Sequence, residues 1–235
     1  MLEFARVDLG HVSVVALSRF GGVSLPPFAE LNLGSYVGDD PSLVAQNWKI
    51  VKENFKATGL TVMHAQHGTV VNLAIDSGEA PPGDGLVCTK PKHAIVALSA
   101  DCVPFALVDP KNQVIAVGHA GWKGVLANLM QALSDQFTLH GGEITNSTAV
   151  IGPAICEKCY EVTSDRVDLF KSKMPAAIAD ETHLDLATGV ATTLKNIGFE
   201  VTRMGGCNFE NENLFSYRRA EGQPTGRGGL VAIIN

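Results

Sequence analysis

Three side chains able to hold a borderline or soft metal lie in apolar segments marked by glycine or proline. They are His67 in His67-Gly68-Thr69-Val70, Cys102 in Ser99-Ala100-Asp101-Cys102-Val103-Pro104, and His119 in Gly118-His119-Ala120-Gly121-Trp122-Lys123-Gly124. Two imidazoles and one thiolate leave a tetrahedral zinc with one open position, the pattern of a catalytic rather than a structural centre. Such a metal can make a water nucleophilic at neutral pH, or act as a Lewis acid toward an anion such as phosphate. Each residue also has an ordinary reading, as a satisfied core histidine or a small buried thiol. Asp101 argues against the ordinary reading, because a charge inside the otherwise apolar run from Ala94 to Val108 needs a partner. Spacing alone leaves a shared metal centre and three unrelated core residues evenly balanced.

These residues need a scaffold. Apolar alternation and β-branched residues predict strands at Val12 to Leu17, Thr69 to Ile75, Ala94 to Leu98, Val103 to Val108 and Val114 to Val117. Further strands are expected at Thr148 to Ile151, Glu200 to Thr202, Leu214 to Tyr217 and Leu230 to Ile233. Helices are predicted over Pro41 to Thr58, Val125 to Leu139, Ser164 to Lys173 and Leu184 to Asn196. Gly78 to Gly85, with Pro81-Pro82, reads as an exposed loop. Strands outnumber helices and do not alternate strictly with them. The expectation is a mixed α/β fold, a single domain over residues 1–235, with central β-structure surrounded by helices. His119 then ends a strand where a helix begins, the kind of place where α/β sheets carry their sites.

Several motifs along the chain together resemble the YfiH-like family, long labelled multicopper polyphenol oxidase or laccase domain. The N-terminal ones are Arg19-Phe20-Gly21-Gly22-Val23-Ser24, Leu31-Asn32-Leu33-Gly34 and Val37-Gly38-Asp39-Asp40. The central ones are the three candidate ligand segments. Ile151-Gly152-Pro153-Ala154-Ile155, Cys159-Tyr160-Glu161-Val162, Leu214-Phe215-Ser216-Tyr217-Arg218-Arg219 and Thr225-Gly226-Arg227 complete the set. The chain departs from the usual pattern at Gln66, where the family tends to have valine before the histidine, and at Lys123, where many relatives have arginine. His64 also lies close to the first candidate ligand.

The resemblance implies a zinc-dependent purine nucleoside phosphorylase with adenosine deaminase activity, acting on small-molecule purine nucleosides and phosphate. It implies metal ligation by His67, Cys102 and His119, with copper as the alternative metal. It makes Arg218 and Arg227 site-facing, since arginine suits fork-like contacts to phosphate. Arg19 and Asn32, in the N-terminal motifs, are expected to complete a substrate pocket. Asp101, beside Cys102, is expected to orient a ligand or handle a proton; a strand-end carboxylate satisfied by backbone amides is the competing reading. Trp122 is expected to pack beneath the metal turn.

Composition limits the alternatives. A net charge of −6 excludes the basic surface of a general nucleic-acid binder. No apolar stretch reaches the roughly 20 residues that span a bilayer. The five cysteines read as reduced thiols of a cytoplasmic protein, and Cys156-Glu157-Lys158-Cys159 as thiols near a turn, with metal binding the minor reading. A true multicopper oxidase needs on the order of ten histidine ligands, against seven histidines in the whole chain. A cysteine hydrolase with Cys102 as nucleophile and His119 or His67 as base uses the same residues, and would suit the peptidoglycan-editing role linked to related members. The oligomeric state is left open by the sequence.

Overall fold

The computed structural model describes residues 2–235. Its centre is a pair of six-stranded mixed sheets packed face to face. The first sheet contains β1 (Glu3–Leu9), β2 (Val12–Leu17), β3 (Gly59–His64), β5 (Gly78–Pro82), β7 (His93–Ser99) and β12 (Gly228–Ile234), in the order β1-β2-β12-β7-β3-β5. The second contains β4 (Val71–Leu73), β6 (Gly85–Cys88), β8 (Val103–Asp109), β9 (Val114–Ala120), β10 (Thr148–Ile151) and β11 (Glu200–Arg203), in the order β11-β10-β8-β9-β6-β4.

Both faces of each sheet's inner strands are covered, which explains their unbroken apolar sequence. Val14, Ile95 and Leu230 of the first sheet meet Ala106, Val117 and Val150 of the second in the layer between them. Val15, Val62 and Val231 turn the other way, with Val51 of α1 (Pro41–Asn54), in an outer core. On the far side, Phe105, Leu107 and Ala149 pack with α2 (Trp122–Leu126), α3 (Leu129–Leu139), α4 (Ser164–Lys173) and α5 (Leu186–Ile197). The layering is helix, sheet, sheet, helices, a mixed α/β fold with β-structure at its centre.

Several expected elements change in detail. The strands expected at Ala94 to Leu98 and Val103 to Val108 both form, as β7 and β8, but in different sheets, since Asp101 with a φ of 102° turns the chain from one layer to the other. The expected helix from Val125 divides in two, because Asn128 adopts a left-handed conformation at φ 62° and starts α3 afresh. Leu214 to Tyr217 is not a strand: Arg219 and Asn208 side chains donate to the Leu214 and Phe215 carbonyls, replacing ladder bonds. Thr69 to Ile75 shortens to β4, while Gly78 to Gly85 is not a free loop but supplies β5 and the start of β6. The strands β1 and β3 carry no expectation from the sequence reading.

Candidate active site

The register of the second sheet brings the site together. Pairing β8 with β9 in antiparallel register sets Val103 opposite Ala120 and Pro104 opposite His119. Cys102, just before β8, therefore sits beside the end of β9. Pairing β6 with β9 sets Gly85 opposite Gly118, which brings Asp84 to His119. The His119 N–H donates to the Asp84 carbonyl at 2.9 Å, and His119 Nδ1 lies 2.9 Å from Asp84 Oδ1. The same buried carboxylate accepts from the backbone N–H of Gln66, His67 and Gly68, the last at 2.7 Å. One acidic side chain thus fixes both the imidazole in β9 and the loop carrying His67, which needs support because His67 is itself left-handed at φ 61°.

The result is a three-residue cluster. One side-chain donor atom from each of His67, Cys102 and His119 lies within 4.8 Å of the others. His67 Nε2 is 3.9 Å from Cys102 Sγ, and the two imidazoles meet edge to face at 4.9 Å. Gly121 keeps the cluster open: a Cβ there would stand 2.7 Å from the His67 ring and 3.1 Å from Cys102 Sγ. His64, by contrast, is turned to Glu79 and Tyr36.

The electrostatics favour a thiolate. Burial alone would push the Cys102 thiol up, but the charge of His119 and hydrogen bonding from His119 and His67 bring it down to about 6. Burial would lower His119, but the Cys102 thiolate and Asp84 hold it up at about 9. A thiolate and two imidazoles, one with its outer nitrogen anchored on a carboxylate, are a suitable donor set for zinc. Among the described residues these three offer too few imidazoles for a trinuclear copper cluster.

The cluster forms part of the wall of a cavity of about 450 Å³. Tyr36, Trp122, Tyr160 and Tyr217 give it aromatic surface, and Arg166, Arg218 and Arg227 give it positive charge. Asp101 also lines it. Its Oδ2 accepts from the Arg218 N–H at 2.7 Å, while Oδ1 is buried with no hydrogen-bond partner among the described residues. Burial holds the Asp101 carboxyl above its ordinary range, against the opposing effects of Ser216 and the Arg218 backbone.

The expected substrate residues divide. Arg218 and Arg227 line the cavity; Arg19 and Asn32 do not. Arg218 is braced by the Cys159 and Glu161 carbonyls and lies over Tyr160, at 5.4 Å from the ring centroid. Asn32 is wholly buried, where its Oδ1 accepts the Arg227 N–H at 2.8 Å, so it positions the arginine from behind. Arg19 donates to the Ala29 carbonyl at 2.9 Å and lies over Phe215, bracing the N-terminal loop. Arg219 is spent on the carbonyls of Asn208, Phe209, Asn211 and Leu214.

Five lining or supporting residues carry no expected site role from the sequence: Tyr36, Tyr160, Arg166, Tyr217 and Asp84. Tyr36 and Arg166 lie in segments without a recognisable ligand pattern, Tyr160 and Tyr217 lie inside family motifs that give them no role, and Asp84 lies in the stretch read as a loop. Trp122, expected beneath the turn, lines the cavity with Arg166 over its ring at 4.7 Å. Lys123 does not line the cavity and is exposed beside the same ring. For Asp84 a signal existed in Gly83-Asp84-Gly85, an acidic residue flanked by glycines before an apolar run.

Comparison with known proteins adds a lineage. The sequence profile of the family described as multi-copper polyphenol oxidoreductase laccase matches residues 13–235. A purine nucleoside phosphorylase of Mycobacterium tuberculosis is 34% identical over 243 residues, which cover 96% of this chain and 94% of the relative. The crystal structure of Neisseria meningitidis protein NMB0706 superposes with a TM-score of 0.86 at 29% identity, covering 99% of both chains. The Bacillus licheniformis protein YfiH shares the fold, with a TM-score of 0.87 at 24% identity, covering 98% of this chain and 97% of that one. Among the described residues no helix is long and apolar enough to cross a membrane.

Proposed function

We propose, from the premise that the chain belongs to the multi-copper polyphenol oxidoreductase laccase family, also called YfiH-like, that it is a zinc-dependent purine nucleoside phosphorylase with adenosine deaminase side activity. The observation that carries this reading is the His67, Cys102 and His119 cluster opening into a cavity walled by aromatic rings and arginines. Relatives named purine nucleoside phosphorylase support the substrate class. We assign it to the cytoplasm, where thiols such as its five free cysteines stay reduced.

In phosphorolysis an oxygen of phosphate attacks the ribose C1′. The bond from C1′ to the purine nitrogen breaks, its electron pair leaves with the base, and the base takes a proton. Arg227 and Arg218 hold the anion at the cavity wall, while Tyr36, Trp122, Tyr160 and Tyr217 offer faces for the purine and ribose. Asp101, with one oxygen fixed by Arg218 and the other unpartnered, is the group placed to deliver or receive the proton. His67, Cys102 and His119 would hold the zinc, which when bound would supply Lewis acidity for the anion and an activated water for deamination of adenosine to inosine and ammonia. Asp84 keeps the His119 Nδ1 occupied, leaving Nε2 for the cluster.

The lowered Cys102 thiol favours a second reading, a cysteine hydrolase with His67 or His119 as its base. Adenosine turnover after chelation and, separately, after iodoacetamide treatment of zinc-loaded protein distinguishes them. The phosphorylase loses activity to the chelator and recovers it with zinc. Activity that survives chelation and dies with iodoacetamide would replace it with the hydrolase.

A further inference from the structure

A second group of metal-binding side chains lies outside the cavity. Cys156, Cys159, Cys207 and Glu210 each place one donor atom so that all four lie within 4.8 Å of one another. They come from two turns, Cys156-Glu157-Lys158-Cys159 and Cys207-Asn208-Phe209-Glu210, each with two residues between its donors. The turns are of one kind. In each the carbonyl of the leading cysteine accepts from the N–H four residues on, Tyr160 to Cys156 and Asn211 to Cys207, both at 3.0 Å. Gly205 and Gly206, at φ 75° and 93°, bring the chain into the second turn through backbone conformations other residues avoid.

We propose that these four residues form a structural site for a thiophilic divalent cation, with zinc as the fitting ion. Three sulfurs and one carboxylate oxygen complete a tetrahedron without an open position, as structural zinc requires. Zinc–sulfur bonds of about 2.3 Å place tetrahedral sulfurs about 3.8 Å apart, so donors already within 4.8 Å need only a small contraction. The Cys156 N–H points at Cys207 Sγ, 3.3 Å away, and so crosses from one turn to the other. An N–H directed at sulfur is the outer support that a metal-bound thiolate uses. Glu210 is exposed, so it can close on the ion without disturbing packing.

The site clips together two segments that carry the cavity wall. Cys159 supplies the carbonyl that braces Arg218, Tyr160 follows it into the cavity, and Arg219 gathers the carbonyls of the Cys207 turn. The ion would therefore set the position of Arg218 without touching substrate. This proposal is independent of the reaction assigned to the cavity.

The test uses the full chain carrying Cys102→Ser, which removes the thiolate of the cavity cluster. Reduced, metal-free protein is titrated with cobalt, whose thiolate charge-transfer absorption reports sulfur ligands. One cobalt per chain should bind with tetrahedral absorption, and the band should vanish when Cys159→Ser is added. Glu210→Ala, an exposed position, should keep the fold and weaken binding. Elemental analysis should give about two zinc ions per chain in the unaltered protein and about one in either Cys102→Ser or Cys159→Ser. A folded Cys102→Ser protein that shows no thiolate band and holds no stoichiometric metal overturns the proposal. So does a Cys102→Ser protein whose bound metal is unaffected by both Cys159→Ser and Glu210→Ala.

Discussion

Asp84 and His119 act as one unit: the carboxylate Oδ1 lies 2.9 Å from the imidazole Nδ1, and Asp84 is wholly buried. Asp84 also accepts the amides of Gln66, His67 and Gly68, so two of the three candidate ligands depend on one side chain. Asp84→Asn would turn an N–H donor toward these donors. Zinc affinity should fall about 10- to 100-fold, the usual consequence of losing an outer partner, as measured by competition with a chromophoric chelator. Unchanged affinity in a folded variant would separate Asp84 from the metal site.

Cys102 offers a pH-dependent readout. In metal-free protein its thiol is brought down to about 6, so it is mostly thiolate at neutral pH. Alkylation of Cys102 by iodoacetamide should rise through pH 6 and level off by pH 7, well before an ordinary thiol near 8.5. Because protonation quenches the nucleophile, the rate is lost as pH falls through that midpoint. Bound zinc should protect the residue. Peptide mapping of alkylated protein across pH supplies the measurement.

Gly121 fills a purely spatial role. Gly121→Ala would place a methyl 2.7 Å from the His67 ring and 3.1 Å from Cys102 Sγ. It should deprive the cavity cluster of metal while the chain stays folded, which elemental analysis and circular dichroism together decide. Retained stoichiometric zinc at His67, Cys102 and His119 would contradict the geometry.

Much of the layered fold can be read directly from the chain. Val12 to Leu17 and Thr148 to Ile151 form strands at their expected bounds, because a buried strand announces itself as an apolar run. The two-sheet arrangement is hidden by that same property: Ala94 to Leu98 and Val103 to Val108 both read as buried apolar strands, and only the backbone turn at Asp101 sends β8 into the other layer. His67, Cys102, His119, Arg218 and Arg227 share one cavity, and their residue types with the family motifs were enough to nominate them. Asn32 carries the same motif signal as Arg227 but serves it from the core, a distinction that burial makes and sequence does not. The second cysteine cluster escapes a search for paired Cys-x-x-Cys motifs because its fourth donor is Glu210.

Arg227→Ala should weaken phosphorolysis more than deamination, since only phosphorolysis uses phosphate. Losing a charge-assisted contact costs about 1.5–3 kcal/mol, which appears as a roughly 10- to 150-fold fall in kcat/KM for phosphate. Steady-state assays of base release and ammonia release on the same variant measure the difference. Equal losses in both reactions would remove Arg227 from the anion site.

Asp101→Asn should leave zinc content unchanged and lower kcat for base release, with little effect on KM. The buried, unpartnered Oδ1 can no longer exchange a proton once it belongs to an amide. A variant with full kcat would return Asp101 to a purely architectural role through its bond to the Arg218 amide.

Zinc-loaded protein is incubated with adenosine in the presence and absence of phosphate, and the products are separated by chromatography. Adenine and ribose 1-phosphate should appear together in equal amounts only when phosphate is present, while inosine forms in either case. No free base from adenosine, inosine or guanosine, with zinc fully bound and phosphate in excess, would overturn the phosphorylase assignment.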